Sequence, residues 1–342
     1  MTSELIVLGV ETSCDETAAA VVVDGRRLLS SVVASQIDVH RRFGGVVPEI
    51  ASRRHVEDII PVVNEALANA GIGLGDVDAI AVTYGPGLVG ALLVGLSAAK
   101  GLALASERPL VCVNHIEGHI YANFLAHPEL EPPLVCLTVS GGHTDMVAME
   151  AHGSYKVLGR TRDDAAGEAF DKVARVMGLP YPGGPALEAL ARSGNPRAIS
   201  FPRPRVQASP LDFSFSGLKT AVINYLHGAE QRGEAVNLAD VAASFQNTVV
   251  EELSARIEHV VGALEARTIA LSGGVAANLA LREGLEHTAS RNGARLVYPP
   301  LSLCTDNAAM IACAGYYRFI GGHVCNMSAN ARPGASLADL LA

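Results

Sequence analysis

The sequence predicts an α/β protein of two duplicated lobes with a nucleotide cleft between them, and three observations carry that reading. Apolar runs of strand length alternate with longer apolar or helix-periodic runs along most of the chain. The pattern strand, turn, strand, turn, strand begins at Leu5 and begins again at Leu134, the mark of an internal duplication. Three boxes of small and polar residues, Glu11 to Glu16, Ser140 to Thr144 and Ser272 to Asn278, each follow an apolar strand. There, backbone N–H groups suit a phosphate and small side chains admit a ribose. A length of 342 residues suits about two domains. The Pro-rich Glu129-Leu-Glu-Pro-Pro133 sets the expected lobes at 1–133 and 134–342.

Taken in order, Leu5 to Val10 is a strand and Glu11 to Glu16 a polar turn; Ala18 to Val23 and Leu28 to Ala34 are strands joined by a hairpin turn at Asp24-Gly25. Val47 to Ala70 is helix-periodic through Ile50, Ile59, Ile60, Val63 and Leu67, and Pro61 is expected to bend it. Ala79 to Thr83 is a strand, Leu88 to Leu104 a buried helix, and Leu110 to Val113 a strand. Between them Gly85-Pro-Gly-Leu-Val-Gly90 fits G-x-G-x-x-G, but the next strand ends Cys112-Val-Asn-His115, without the carboxylate that a dinucleotide ribose needs. A glycine turn for close packing is the better reading.

The second half repeats the opening: strands Leu134 to Val139, Met146 to Met149 and Tyr155 to Gly159. Asp163 to Asp171 leads into a helix through Met177, in which Asp171 is either a site residue or half of a structural salt bridge. Tyr181-Pro-Gly-Gly-Pro185 is a rigid turn, Arg197 to Phe215 a Pro-interrupted loop, and Asn237 to Leu264 one long helix or two. Thr268 to Asn278 is a strand running through a glycine turn to a helix N-terminus.

The chemistry centres on Val113 to Tyr121, where His115 and His119 stand four residues apart. On a helix such a pair is about 6 Å apart on one face, so both imidazoles can bind one cation. This is not the H-E-x-x-H box of a metalloprotease, because Ile116 follows the first histidine and Glu117 faces elsewhere. Asp306 sits at the mouth of a later helix. As an N-cap it would close that helix; as a third ligand it would complete a two-His, one-carboxylate set suited to Fe(II) or Zn(II), and the spacing allows either. Glu11 and Asp15, in the first turn, are candidates for a general base by location alone, with ordering of that turn the alternative.

Composition narrows the classes. The hydrophobic share is 49% and mean hydropathy +0.27, yet no run of about 20 uncharged apolar residues occurs, which argues against a membrane span. The start, Met1-Thr-Ser-Glu4, lacks a cationic signal region, so a cytoplasmic location is expected. The six cysteines (14, 112, 136, 304, 313 and 325) show no C-x-x-C spacing and read as buried thiols rather than disulfides or zinc ligands. A formal charge of −9 means that a nucleic acid would have to be held by local patches or partner subunits. Arg41-Arg42, Arg53-Arg54 and Arg203-Pro204-Arg205 are the candidate patches, with solvated surface the commoner explanation.

Seven stretches in one order carry a resemblance. They are Gly9-Val-Glu-Thr-Ser-Cys-Asp-Glu-Thr17, Phe43-Gly-Gly-Val-Val-Pro-Glu49, the His115 to His119 helix, Val139-Ser-Gly-Gly-His-Thr144, Asp164-Ala-Ala-Gly-Glu-Ala-Phe-Asp-Lys172, Asp212-Phe-Ser-Phe-Ser-Gly-Leu-Lys219 and Cys304-Thr-Asp-Asn307. Together they closely resemble the TsaD family of tRNA adenosine threonylcarbamoyltransferases, over about Leu5 to Pro333. The resemblance implies an actin/Hsp70/sugar-kinase-like (ASKAH) fold. It implies transfer of threonylcarbamoyl from threonylcarbamoyl-AMP to the exocyclic amine of the adenosine beside the anticodon, in tRNAs reading codons that begin with A.

Carried over by motif, His115, His119 and Asp306 would be the metal ligands, with Fe(II) ahead of Zn(II). Thr138, Val139, Ser140, Gly141, Gly142, Asp171, Gly184, Glu188 and Asn278 would line the site for the adenylate, its AMP product or ATP. The resemblance also implies partners: tRNA, a paralogous TsaB-like subunit, a small TsaE-like ATPase, and a separate enzyme that supplies the adenylate. Two features depart from the family pattern: Asn114 stands where relatives often carry another histidine, and the tail Asn330-Ala-Arg-Pro-Gly334 lacks their tryptophan. Two readings compete. One is a metallopeptidase, from the family's older label O-sialoglycoprotein endopeptidase; the other is a non-catalytic ASKAH scaffold, which would be expected to lack the His pair and Asp306.

Overall fold

The opening apolar run forms β1 (Ile6–Glu11), which turns back into β2 (Glu16–Val23) and β3 (Arg27–Ser35), each antiparallel to the one before. Asp24 and Gly25 join β2 to β3 with φ of 50° and 66°, the positive values a tight hairpin turn requires. The computed structural model describes residues 4–203, 206 and 209–340.

After α1 (Ile37–Arg41), α2 (Pro48–Ala70) runs as one helix with Pro61 inside it. β4 (Ala79–Gly85) lies parallel to β1, and β5 (Leu110–Asn114), reached through α3 (Val89–Ser106), lies parallel to β4. The sheet order is β3-β2-β1-β4-β5, and α4 (His115–Ala126) follows β5 without an intervening loop. Leu8, Val10, Ile59, Val63, Val82 and Leu96 form the core between this sheet and α2 and α3. α3, expected to be buried, is so along one face only: Leu92, Leu96 and Ala99 are covered, whereas Val89, Leu93 and Leu104 are exposed. Among the described residues it is the single helix long and apolar enough to cross a membrane.

The second sheet repeats the first. β6 (Leu134–Val139), β7 (Thr144–Ala151) and β8 (Ser154–Arg160) lead through α5 (Ala166–Val176), α6 (Gly183–Ala191), α7 (Ser216–Arg232) and α8 (Leu238–Leu264) to β9 (Thr268–Ser272), α9 (Leu279–Arg291) and β10 (Arg295–Val297). Its order, β10-β9-β6-β7-β8, has β9 parallel to β6 and β7 antiparallel to it, as β4 and β2 stand to β1. Of these elements α6, α7 and β10, like α1, escape the sequence reading. α6 begins inside the expected Pro-Gly-Gly-Pro turn, because proline is tolerated in a first helical turn that needs no N–H donor there.

One division falls at Pro132/Pro133, where the Pro-rich segment puts it, but 134–342 does not stay together. The first compact unit takes in the chain up to Pro132, Glu150–Tyr155 and everything from Pro299; the second holds Pro133–Met149 and Lys156–Tyr298. The returning segment carries α10 (Leu301–Cys304) and α11 (Ala308–Ile320). Ala308 to Gly315 are all buried, so α11 has no polar face to give to solvent and packs on β1, β4 and α4. Glycines let it approach: a Cβ on Gly118 would meet Ile311 Cδ1 at 2.6 Å, and one on Gly9 would strike the Ala308 carbonyl and the Ala312 nitrogen.

The tail without tryptophan still docks. Cys325 N–H donates to Leu110 O at 2.7 Å, Lys100 Nζ to Ala329 O at 2.5 Å and Arg332 N–H to Tyr84 O at 2.8 Å. All six cysteines are free; Cys14 and Cys325 are part-exposed and the rest buried. Of the arginine patches, Arg41 pairs with Asp38, Arg54 with Glu57 and Asp58, and Arg203 with Glu251; Pro204 and Arg205 lie outside the described residues.

Candidate metal centre and nucleotide loops

β5 is wholly buried and ends at Asn114, whose Oδ1 accepts from Ile116 N–H at 2.9 Å and Glu117 N–H at 3.4 Å. The residue that departs from the family pattern is thus the N-cap that starts α4. His115 and His119, one turn apart, stand edge to face with ring centroids 4.6 Å apart. Asp306 does not cap α11. That place belongs to Asn307, whose Oδ1 accepts from Met310 N–H at 3.0 Å, and Asp306 is left to face the histidines. Its Oδ1 lies 3.4 Å from His115 Nε2 and 3.3 Å from His119 Nε2.

These three groups fit a single divalent cation. Their ligand atoms lie within 4.8 Å of one another. A cation about 2.1 Å from each ligand would hold them about 3.4 Å apart in tetrahedral geometry. Among the described residues, neither ring nitrogen of the buried His119 has a hydrogen-bond partner of good geometry, as expected of an imidazole placed to ligate. Burial holds the His119 pKa down, which keeps its lone pair free. His115 goes the other way: burial opposes its charge, but Asp306 and Glu11 outweigh burial and raise it well above its ordinary value. Asp306 is likewise disfavoured as an anion by burial, yet the two imidazoles hold its pKa well below the usual carboxylate range. Two carboxylates, Glu11 and Asp306, flank His115, a setting that favours positive charge there and is consistent with a divalent cation.

Glu11 backs the first of the two imidazoles. Its Oε2 accepts from His115 Nδ1–H at 3.0 Å and from Thr83 Oγ1–H at 2.6 Å, and its Oε1 accepts from Ser13 N–H. Burial raises its pKa, but His115 and Thr83 bring it below the ordinary value. A buried carboxylate on Nδ1 turns Nε2 toward the metal side, so Glu11 is occupied as an orienting group. The loop it opens is pinned from α2, where His55 Nε2–H donates to Cys14 O at 2.9 Å while Nδ1 accepts from Thr17 Oγ1–H at 2.8 Å. Asp15 is buried in this loop, and the residue sequence reasoning passed over is its neighbour Glu16. Burial, Asp306 and Asp15 push the Glu16 pKa up to about 9. Its signal was present in the acidic box itself.

The glycine turn at Gly85 to Gly90 packs closely, as expected. A Cβ on Gly87 would sit 2.5 Å from Ser13 O, which also accepts from Leu88 N–H at 2.8 Å. Glu117, on the far face of α4, is buried against Tyr155 Oη at 3.0 Å and Arg318 at 3.5 Å. A carboxylate so placed cannot serve the cation between His115 and His119 as a peptidase base.

The nucleotide candidates all fall in the second unit, where hydrogen bonds fix several of them in place. Thr138 Oγ1 meets Ser272 Oγ at 2.9 Å, which sets the exits of β6 and β9 side by side. Ser140 closes its own turn through His143, and Gly141 and Gly142 carry open space where a side chain would be. Asp171 Oδ1 accepts from Gly183 and Gly184 N–H at 2.8 and 3.1 Å, so it caps α6. Glu188 Oε1 accepts from Leu279 N–H at 3.0 Å, and Asn278 Oδ1 from Leu281 N–H at 2.9 Å. Asn278 Nδ2 donates to Gln246 Oε1 at 2.8 Å, a glutamine that nothing in the interior of α8 distinguished.

A family model described as TsaD: tRNA N6-adenosine threonylcarbamoyltransferase matches residues 27–313. Proteins named tRNA N6-adenosine threonylcarbamoyltransferase are similar over nearly the whole chain. The Moorella thermoacetica one is 60% identical over 333 residues, 97% of each chain. The Symbiobacterium thermophilum one is 59% identical over 338 residues, 98% of each. Among solved structures, HypF of T. kodakarensis is similar in fold at TM-score 0.64 and 15% identity, covering 92% of this chain and 48% of that one. Component A of Acidaminococcus fermentans (R)-2-hydroxyglutaryl-CoA dehydratase gives 0.54 at 14% identity, covering 92% and 98%. At such identities the likeness shows the fold alone, and the fold is of the actin/Hsp70/sugar-kinase type.

Proposed function

This chain belongs to the tRNA N6-adenosine threonylcarbamoyltransferase family, and from that premise we propose that it moves threonylcarbamoyl from threonylcarbamoyl-AMP to the exocyclic amine of the adenosine beside the anticodon, in tRNAs reading codons that begin with A. The observation that carries the reading to this chain's own chemistry is the meeting of His115, His119 and Asp306, with Glu11 behind the first. A two-His, one-carboxylate set suits Fe(II), with Zn(II) second. His115, His119 and Asp306 would hold such a cation, which would supply Lewis-acid polarisation of the acyl phosphate. Thr138 to Gly142, Asp171, Gly184, Glu188 and Asn278 take the adenylate moiety, AMP or ATP: the open glycines admit the nucleotide and the capped helices hold the loops rigid.

Asp15 remains the candidate general base, since Glu11 is already engaged by His115 and Thr83. An exposed set of apolar side chains on the packed helices α2 and α3, Val56, Ile60, Val89 and Leu93, supports a protein partner such as the TsaB-like subunit. The TsaE-like ATPase and the adenylate-forming enzyme complete the proposed set, and a tRNA substrate fits a cytoplasmic location. The test is one reaction: protein and partners with tRNA, threonine, bicarbonate, ATP and the adenylate-forming enzyme, followed by nucleoside mass spectrometry. Modified adenosine is expected with the chain and not without it. Equal modification without the chain refutes the proposal.

A further inference from the structure

Two thiols outside the site meet where the tail docks. Leu110 on β5 and Cys325 in the tail form an isolated antiparallel bridge, closed by the 2.7 Å bond from Cys325 N–H to Leu110 O. Alternate residues of a strand share a face. Cys112, two residues beyond Leu110, therefore stands diagonally across from Cys325, within side-chain reach. Cys325 packs against the core cluster that contains Cys112. Cys112 is fully buried and Cys325 part-exposed, so one member can meet a small oxidant and the other is held behind it.

We propose that Cys112 and Cys325 are a dithiol–disulfide pair, oxidised by a small peroxide, whose bond fastens the C-terminal tail to the strand that delivers His115. Exposure marks Cys325 as the attacking sulfur, because it is part-exposed while Cys112 is fully buried behind it, and its neighbour Cys112 acts to lower the Cys325 pKa. Its thiolate attacks one oxygen of hydrogen peroxide; the O–O bond breaks, leaving a sulfenic acid and hydroxide. The Cys112 sulfur then attacks the sulfenic sulfur, the S–S bond forms, and the hydroxyl departs with the Cys112 proton as water. The thiols lose two electrons and the peroxide becomes two waters, the proton first released by Cys325 accounting for the hydroxide.

The bond would act on the site at one remove. β5 leads directly into Asn114 and His115, and the same tail holds Tyr84 through Arg332 and Gly87 through Pro333, beside Ser13. The test is peroxide titration of the reduced full-length chain, then peptide mapping without reductant. One cross-linked pair joining Cys112 to Cys325 is expected, two hydrogens lighter and reversed by dithiothreitol, with Cys304 and Cys313 still thiols. Cleavage of the tail by a protease should slow on oxidation in the wild type and not in Cys325→Ser. Cys112→Ser should abolish the cross-link and carry Cys325 on to sulfinic acid; if that variant does not fold, Cys325→Ser, whose remaining Cys112 should stay reduced, gives the same comparison. Wild-type Cys325 overoxidised beside a reduced Cys112, or joined instead to Cys14, overturns the proposal.

Discussion

Replacing Glu11 with glutamine keeps the shape of a fully buried side chain and removes only its charge and one acceptor. In the native structure Oε2 accepts hydrogen bonds from His115 Nδ1–H and Thr83 Oγ1–H, and Oε1 accepts one from Ser13 N–H. A glutamine has one oxygen for these donors. If its amide nitrogen faces His115, the imidazole must accept at Nδ1 and carry its proton on Nε2, the atom that would ligate. If the amide is turned over, its N–H groups face the Ser13 N–H in a buried setting. Loss of a carboxylate behind a ligating histidine costs about 10- to 100-fold in metal affinity, about 1.4 to 2.7 kcal/mol. The assay is competition between the protein and a chromophoric chelator for Zn(II), with thermal unfolding to confirm that Glu11→Gln remains folded. Affinity within twofold of wild type refutes the orienting role. Unchanged affinity with lost transfer would instead put Glu11 in the chemistry.

Three further outcomes are expected. Asp306→Asn removes the anionic ligand while Asn307 keeps α11 capped, so bound metal and transfer should fall by more than about 100-fold in a protein that still folds; metal at full occupancy by elemental analysis would contradict the triad. Asn114→Ala removes the cap of α4 and should cost about 1 kcal/mol of stability, read by denaturant unfolding; no loss would mean that packing alone sets the helix start. The third concerns pH. Because His115 in the metal-free protein has a raised pKa, its protonation adds stability that is fully present below the ordinary imidazole value of about 6.5 and is lost as pH rises through the raised one. Metal must displace that proton, so Zn(II) affinity should fall with falling pH, by up to about tenfold per unit. Unfolding midpoints with and without Zn(II) across pH 5.5 to 9 should therefore diverge upward, and a constant gap would refute the linkage.

Much of this molecule was legible in the residue order. Runs such as Leu5 to Val10 and Leu134 to Val139 are strands because they are apolar and bounded by small-residue turns, and their repetition revealed two sheets of one topology. The spacing of His115 and His119 put both on one helix face, since helical geometry is local. α7 was not legible, and α6 was hidden by prolines that a first helical turn accepts.

What only the tertiary structure decided concerns residues far apart in the chain. Periodicity states how much of a helix is apolar but not which sheet will cover it, so the return of α11 to the first unit could not be read from Ala308 to Ile320. Asp306 could cap or ligate on the same sequence, and the choice fell to Asn307 taking the cap. Asn114 stands where relatives often carry a histidine and is a cap; Glu11 could be a base or order its turn on the same sequence, and it is held by His115 and Thr83. Cys112 and Cys325 came together only because the tail bonds to the edge strand β5. Local patterns are set by bonds along a few residues, whereas a site is set by which buried surfaces find each other, and that depends on the whole chain at once.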